Sequence, residues 1–459
     1  MSNFIIINIE HGLTGRLGDH ARFSGALRVR NGVIHEMGNL QPEAGETVVD
    51  AKHSVVCPGF VNTHHHLFQS VMKAVPEALN QPLDPWLMEA PYRFWPYLNE
   101  EGMRTTVTIG LAELALSGVT TVADHHYIYS DRYDYNPSDV LCETAARFGQ
   151  RFVLGRGGLT HGRPWHRDDI PPAPATSLEH MLDGLSSDVA RWHDPSPTAM
   201  TRIAAAPVTT IFNLREGEVK EVAQAARHLG IRLHTHLSEN DTYVNTTLDR
   251  YGKRPVPWMA EQEWIGDDVW FAHLVKIDER EIDMLSEAGT AMAHCPQANA
   301  RLASGIAPVP RFAERGGVVS LAVDGTAANE AGDMAQTLYA AFILHRTGGQ
   351  ADATTAENVI HWATSGGARA LGLSGIGTLE PGKAADLLVL GLDHPRYFGQ
   401  HDRTVGPIIS GGELRLRHSY VAGREIVRDG AVPWLDMDEL NEKSLQTVDI
   451  LKRGAQRAH

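Results

Sequence analysis

A (β/α)8 barrel is the fold class that this sequence predicts, and three observations predict it. Short apolar strands recur between helical segments, which is the alternation of a parallel α/β fold. Eight such strands can be counted, from "VVCPGFVNTHHH" through "TTVADHH", "RFVLGRGG", "RIAAAPVTT", "RLHTHLSE", "VWFAHLV" and "TAMAHCP" to "VSLAVDG". Most of them end in polar residues on the C-terminal side, where barrel enzymes carry their chemistry. A doubly wound open sheet is the alternative; the third observation favours the barrel, over residues 58–370.

The flanks read differently. Residues 1–57 are β-rich and open with "MSNFIIINIEHG", an apolar run without the basic lead or small-residue cleavage site of a signal peptide. Residues 371–459 contain the β-rich stretch "GIGTLEPGKAADLLVLGLDHP" and then the amphipathic "DMDELNEKSLQTVDILKRG", which is expected to be helical. Neither flank is long enough to stand alone, so the two are expected to pair into one small β-domain carrying a C-terminal helix. Inside the barrel, Val219, Val222, Ala223, Ala226 and Leu229 follow the helical period, and Gly230 can close that helix. A second helix starts at Asp278, with Glu281 completing a capping box before Ile282 and Leu285, and stops at Gly289. The proline-rich "HGRPWHRDDIPPAPATS" is a long loop that could serve as a lid.

Composition narrows the function. Hydrophobic residues make up 42% of the chain, the value of an ordinary globular protein. No run of about 18 apolar residues occurs, so no membrane partner is expected, and a cytoplasmic protein is. A formal charge of −15 disfavours binding to a nucleic-acid backbone. Cys57, Cys142 and Cys295 are scattered, which disfavours both a disulfide framework and a cysteine-rich zinc site. The 24 histidines are the unusual feature.

In extended chain, residues i and i+2 share a face, so His64 and His66 look one way and His65 looks the other. His236 stands near the tip of the fifth strand with Glu239 three residues beyond, His273 ends the sixth, and Asp324 ends the eighth. Four strand ends carrying imidazoles and carboxylates make a divalent-metal site at the barrel mouth the natural expectation. His234 lies deeper than His236 and reads as a barrel-layer residue. His125, His126 and His294 also end strands and are candidates for substrate contact or core hydrogen bonding. Gln69, Trp86, Arg156 and Arg163 are candidates for substrate binding: an amide that can pair with a heterocycle edge, an aromatic face that can stack, and two guanidinium groups for an oxygen-rich ring.

The segments "PGFVNTHHH", "HTHLSE", "FAHLV", "AHCPQAN", "AVDGTAAN" and "GTLEPGKAADLLVL" together resemble the amidohydrolase superfamily, in its branch of nucleobase deaminases and triazine hydrolases. The resemblance covers nearly the whole chain. It implies a distorted barrel with a flanking β-sandwich and one divalent metal, zinc or, with the same ligands, iron(II), held by His64, His66, His236 and Asp324. The fourth strand, "RIAAAPVTT", lacks the lysine or glutamate that bridges two metals in binuclear relatives. Glu239 is then the proton shuttle, Asp324 also a proton acceptor, and His273 the group that holds the attacking oxygen. "NTHHHLFQS", "PWLMEAPYRFWPYL" and "TVADHHYIY" most resemble isoxanthopterin deaminases, implying loss of the 2-amino group from an oxidised pterin such as isoxanthopterin or pterin 6-carboxylate. An 8-oxoguanine or guanine-type deaminase is the alternative, an s-triazine hydrolase stands behind it, and an inactive barrel acting as a scaffold is disfavoured because every ligand is present. A homo-oligomer is also implied by the resemblance.

Overall fold

The structure, a computed structural model, describes residues 3–163 and 167–457. Five strands come first: β1 (Phe4–Leu13), β2 (Arg22–Arg30), β3 (Val33–Gly38), β4 (Thr47–Asp50) and β5 (Ser54–Pro58). Proline has no amide hydrogen to give a ladder, and beyond Pro58 the chain changes sheets. Gly59 N–H donates to Asp386 C=O, while Phe60 N–H donates to Gly118 C=O. A side chain at Gly59 would start 2.1 Å from Thr120 Oγ1, so only glycine fits the crossing. The single strand read as "VVCPGFVNTHHH" is therefore two strands in two sheets.

Eight parallel strands follow: β6 (Phe60–Asn62), β7 (Val119–His126), β8 (Arg151–Arg156), β9 (Thr201–Ala205), β10 (Arg232–Leu237), β11 (Val269–His273), β12 (Ala291–His294) and β13 (Val318–Leu321). They lie side by side in chain order. Thr63 N–H donates to Leu321 C=O and Asp324 N–H donates to His64 C=O, each at 3.2 Å, and these bonds join the last strand to the first. The sheet is thus a nearly closed (β/α)8 barrel.

The remaining strands, β14 (Leu387–Gly391), β15 (Leu416–Val421) and β16 (Arg424–Arg428), return to the first sheet. Its order is β16-β15-β14-β5-β1-β2-β3, with β4 also on β1, and β14 runs antiparallel to β5 with Leu387 opposite Pro58. Ile6, Leu27, Val56, Leu387 and Val389 give this sheet a core of its own.

Local signals act as elementary chemistry requires. The helix Glu218–His228 buries Val219, Val222, Ala223 and Ala226. At the start of the helix Glu279–Ala288, the Asp278 carboxylate accepts from Glu281 N–H at 2.9 Å and the Glu281 carboxylate accepts from Asp278 N–H at 3.0 Å. Gly289, at φ +74°, ends that helix. The C-terminal helix Met437–Arg457 buries Leu440, Thr447 and Leu451 and packs on the helix Glu100–Leu116. Among the described residues, no helix is long and apolar enough to cross a membrane. Of the loop read as a lid, residues 164–166 lie outside the described residues.

Candidate metal and catalytic centre

Strand β6 ends at Asn62, but hydrogen bonds to the flanking strands continue through the histidines, with Asp324 N–H donating to His64 C=O and His125 N–H to His65 C=O. His64 and His66 enter the barrel mouth together. They meet His236 from β10, His273 from the end of β11 and Asp324 just beyond β13. All five are buried, His236 being the most open at 9%. His65 packs outward near Gly110.

Backbone carbonyls decide how two of these rings are protonated. His66 Nδ1 lies 2.7 Å from His125 C=O, and His236 Nδ1 bonds to Val208 C=O. A carbonyl can only accept, so both Nδ1 atoms carry the proton and both Nε2 atoms present lone pairs. Those two Nε2 atoms are 3.2 Å apart. Two acceptors so close repel one another unless a cation lies between them. Asp324 Oδ1 stands 3.5 Å from Nε2 of both His64 and His66, and His64 Nε2 is buried with no hydrogen-bond partner. Donors around a tetrahedral zinc with bonds of about 2.0–2.1 Å are spaced by about 3.3–3.4 Å. The observed spacings match.

Charge completes the fit. Burial first, then the neighbouring imidazoles, holds His64 and His236 well below the ordinary histidine range. Burial also lowers His66, against the pull of Asp324. Neutral imidazoles beside one carboxylate are the form a divalent cation requires.

Glu239 lies beyond the donor group. Its Oε2 is 3.7 Å from His273 Nε2, which is in turn 4.0 Å from Asp324 Oδ2. Burial, reinforced by the Asp324 charge and opposed by His273, raises the Glu239 carboxyl above the ordinary glutamate range. His273 Nδ1 donates to the Asn299 amide oxygen at 2.9 Å, which leaves Nε2 facing the carboxylates. His273 (φ +76°) and Asp324 (φ +67°) both sit in the left-handed region. That strain falls where each strand ends and its reactive side chain enters the cavity.

The cavity above this group is lined by Gln69, Trp86, Tyr92, Tyr127, Arg163 and Asn213 as well as by His66, His236, Glu239, His273 and Asp324. Gln69 Oε1 is buried without a protein partner, and its amide lies where a side chain on Gly325 would otherwise be, 2.1 Å from that Cβ position. The Trp86 indole N–H donates to Ala327 C=O at 2.9 Å, which fixes the ring. Arg163 pairs with Asp84 and lies over the Phe212 ring at 3.9 Å.

Arg156 is not brought to the cavity. From the last position of β8 it points into the helical layer, where the missing side chain of Gly184 makes room for it. There it pairs with Asp188 at 3.2 Å and lies over Tyr129 at 4.1 Å. Breaking a buried pair of this kind costs about 3–5 kcal/mol. Arg156→Ala is therefore expected to lose stability in urea titrations with KM unchanged; a raised KM at full stability would place the residue at the substrate instead.

Several contributors carry no signal in the sequence alone. Tyr127 and Asn213 line the cavity, and Asn299 orients His273. Asp124 accepts from Leu67 N–H at 2.6 Å and so fixes the chain beyond His66; burial pushes its carboxyl up to about 8. His125 stands against the His236 ring, but its Nε2 is 2.7 Å from Ala206 C=O. His294 lies 3.2 Å from His345, away from the cavity.

Residues 55–415 match the amidohydrolase family. The chain belongs to that family. It is 42% identical to an isoxanthopterin deaminase from an unknown prokaryotic organism, over 97% of this chain and 96% of that protein. It is 37% identical to an 8-oxoguanine deaminase of Pseudomonas aeruginosa, over 94% and 96% respectively. Among solved structures, an atrazine chlorohydrolase of Arthrobacter aurescens TC1 complexed with zinc superposes with a TM-score of 0.89 at 25% identity, over 97% of this chain and 100% of that one. This amidohydrolase is a hydrolase acting on C–N bonds, a hydrolytic deaminase with a histidine and aspartate group built for a divalent metal.

Proposed function

We propose that this amidohydrolase removes the 2-amino group of an oxidised pterin, isoxanthopterin in the first place and pterin 6-carboxylate in the second. The observation that carries the reading is one cavity that puts a buried, raised carboxyl (Glu239) beside three imidazoles and Asp324, under an unpartnered Gln69 oxygen and a guanidinium. The likeness to an isoxanthopterin deaminase over nearly all of both chains supports the substrate class. His64, His66, His236 and Asp324 would hold one divalent cation; zinc accompanies the similar chlorohydrolase, and iron(II) suits the same donors.

The cation, when bound, supplies a water of lowered pKa at neutral pH. The remaining work belongs to side chains. Asp324 takes a proton from the water as it attacks the amino-bearing ring carbon, and His273 Nε2 holds the attacking oxygen. Glu239, whose burial favours the protonated form, donates to the adjacent ring nitrogen, so that negative charge does not build up there. The proton taken up by Asp324 then passes to the exocyclic nitrogen while the Glu239 carboxylate recovers the proton of the added hydroxyl, so that the C–N bond breaks, ammonia leaves and the oxo product remains. Gln69 Oε1 accepts a hydrogen bond from the ring edge, Arg163 meets its oxygens, and Trp86 lies against its face.

A second reading, 8-oxoguanine deamination, draws on the 37% likeness and on the same 2-aminopyrimidinone edge. Ammonia release from isoxanthopterin, pterin 6-carboxylate, 8-oxoguanine, guanine and an aminotriazine separates them. The pterins are expected to lead in kcat/KM by roughly tenfold or more, the scale on which one pocket contact discriminates. A lead for 8-oxoguanine would keep the chemistry and replace the substrate.

A further inference from the structure

Backbone carbonyls set the tautomers of His66 and His236, and no substitution removes a carbonyl. His64 differs. Its Nδ1 lies 2.8 Å from Nε2 of His234, a buried imidazole outside the cavity lining. His234 Nδ1 lies 2.9 Å from Trp270 C=O. That carbonyl only accepts, so His234 carries its proton on Nδ1 and offers Nε2 as an acceptor. The hydrogen between the two rings then belongs to His64 Nδ1, and His64 Nε2 is left as a lone pair 3.5 Å from Asp324 Oδ1.

The surroundings hold this chain in register. The His234 ring stacks on the Trp270 indole, with centroids 4.5 Å apart at 16°. The same indole N–H donates at 3.0 Å to the carbonyl of Thr63, the residue just before His64. Trp270 thus fixes both the relay ring and the backbone that carries the ligand.

We propose that His234 is a positioning residue for the metal centre, holding His64 as the Nδ1–H tautomer so that Nε2 is free to bind the cation. The inference rests on the metal-centred reading of the site and is independent of the substrate. Without an acceptor at residue 234, the His64 Nδ1–H is left buried and unpaired. The ring then gains by turning or by moving its proton to Nε2, and an Nε2–H cannot ligate.

Two variants separate this role from packing. His234→Gln places an amide oxygen near the lost Nε2, whereas His234→Met fills similar space with only a weak acceptor. Zinc affinity of the metal-free proteins is read by competition with a chromogenic chelator, and ligand geometry by the absorption spectrum of the cobalt(II)-loaded proteins. His234→Met is expected to bind zinc about 10–100-fold more weakly with a perturbed cobalt spectrum, and His234→Gln to stay close to the parent protein. Equal melting temperatures of the two metal-free variants would accompany that split. Parent-like affinity in His234→Met, or equal weakening in both, overturns the proposal. Failure of the parent protein itself to bind zinc or cobalt overturns the metal-centred reading instead. Should neither variant fold, the imidazole 15N shifts of the zinc-loaded parent protein decide: His64 metallated at Nε2 supports the proposal, and His64 metallated at Nδ1 overturns it.

Discussion

Glu239→Gln is expected to abolish turnover while leaving the metal and the fold in place. Glu239 is 6% exposed, and its carboxyl stands outside the group of atoms that converge on the metal position. A glutamine fills the same space but has no acidic proton to deliver and no carboxylate to recover it. Removing a positioned acid–base group lowers rates by about 10²–10⁴-fold, and because Glu239 must both give a proton to the ring nitrogen and recover one from the added hydroxyl, the loss should fall at the upper end. The check is kcat on the preferred substrate, together with metal content and melting temperature. A near-normal kcat would remove Glu239 from proton transfer; a lost metal would make it a ligand.

The second large effect separates neighbours in one tripeptide. His64→Ala is expected to take the metal content of the purified protein from one equivalent towards none, and activity with it. His65→Ala is expected to keep the metal and to lose stability, because the His65 ring is fully buried and points away from the donor atoms. Elemental analysis and thermal melting of the two variants provide the measurement. Equal metal loss in both would mean that the alternation of side chains along "THHH" does not govern ligation.

That alternation was legible because it depends only on local strand geometry, and hydrogen bonds to the flanking strands on both sides continue past Asn62 at Thr63, His64 and His65. The strands of the barrel were legible for the same local reason: an apolar run with a polar end. The capping box at Asp278 was legible because both of its bonds close within four residues. Other features depend on partners far along the chain. Arg156 turns into the helical layer because Asp188 and the space above Gly184 await it there, and nothing in "RFVLGRGG" records either. Pro58 and Gly59 read as a turn, but only the packing against Thr120 shows that the turn carries the chain from one sheet to another. Tyr127 and Asn213 reach the cavity through the geometry of the closed barrel, which has no counterpart in local spacing.

The sheet built from both ends of the chain sets an order on synthesis. Ser54–Pro58 emerges early, yet its partner Leu387–Gly391 leaves the ribosome only after the whole barrel has been made. At about 5–20 residues per second this interval is roughly 20–60 s. Through it, the strand that leads straight into His64 and His66 hangs from a sheet with one open edge. A nascent chain truncated before Leu387 would hold His64, His66, His236 and Asp324 within a barrel of full length, with Ser54–Pro58 paired on one side only, to β1. The flanking sheet is therefore completed last, after the barrel that carries the donor group.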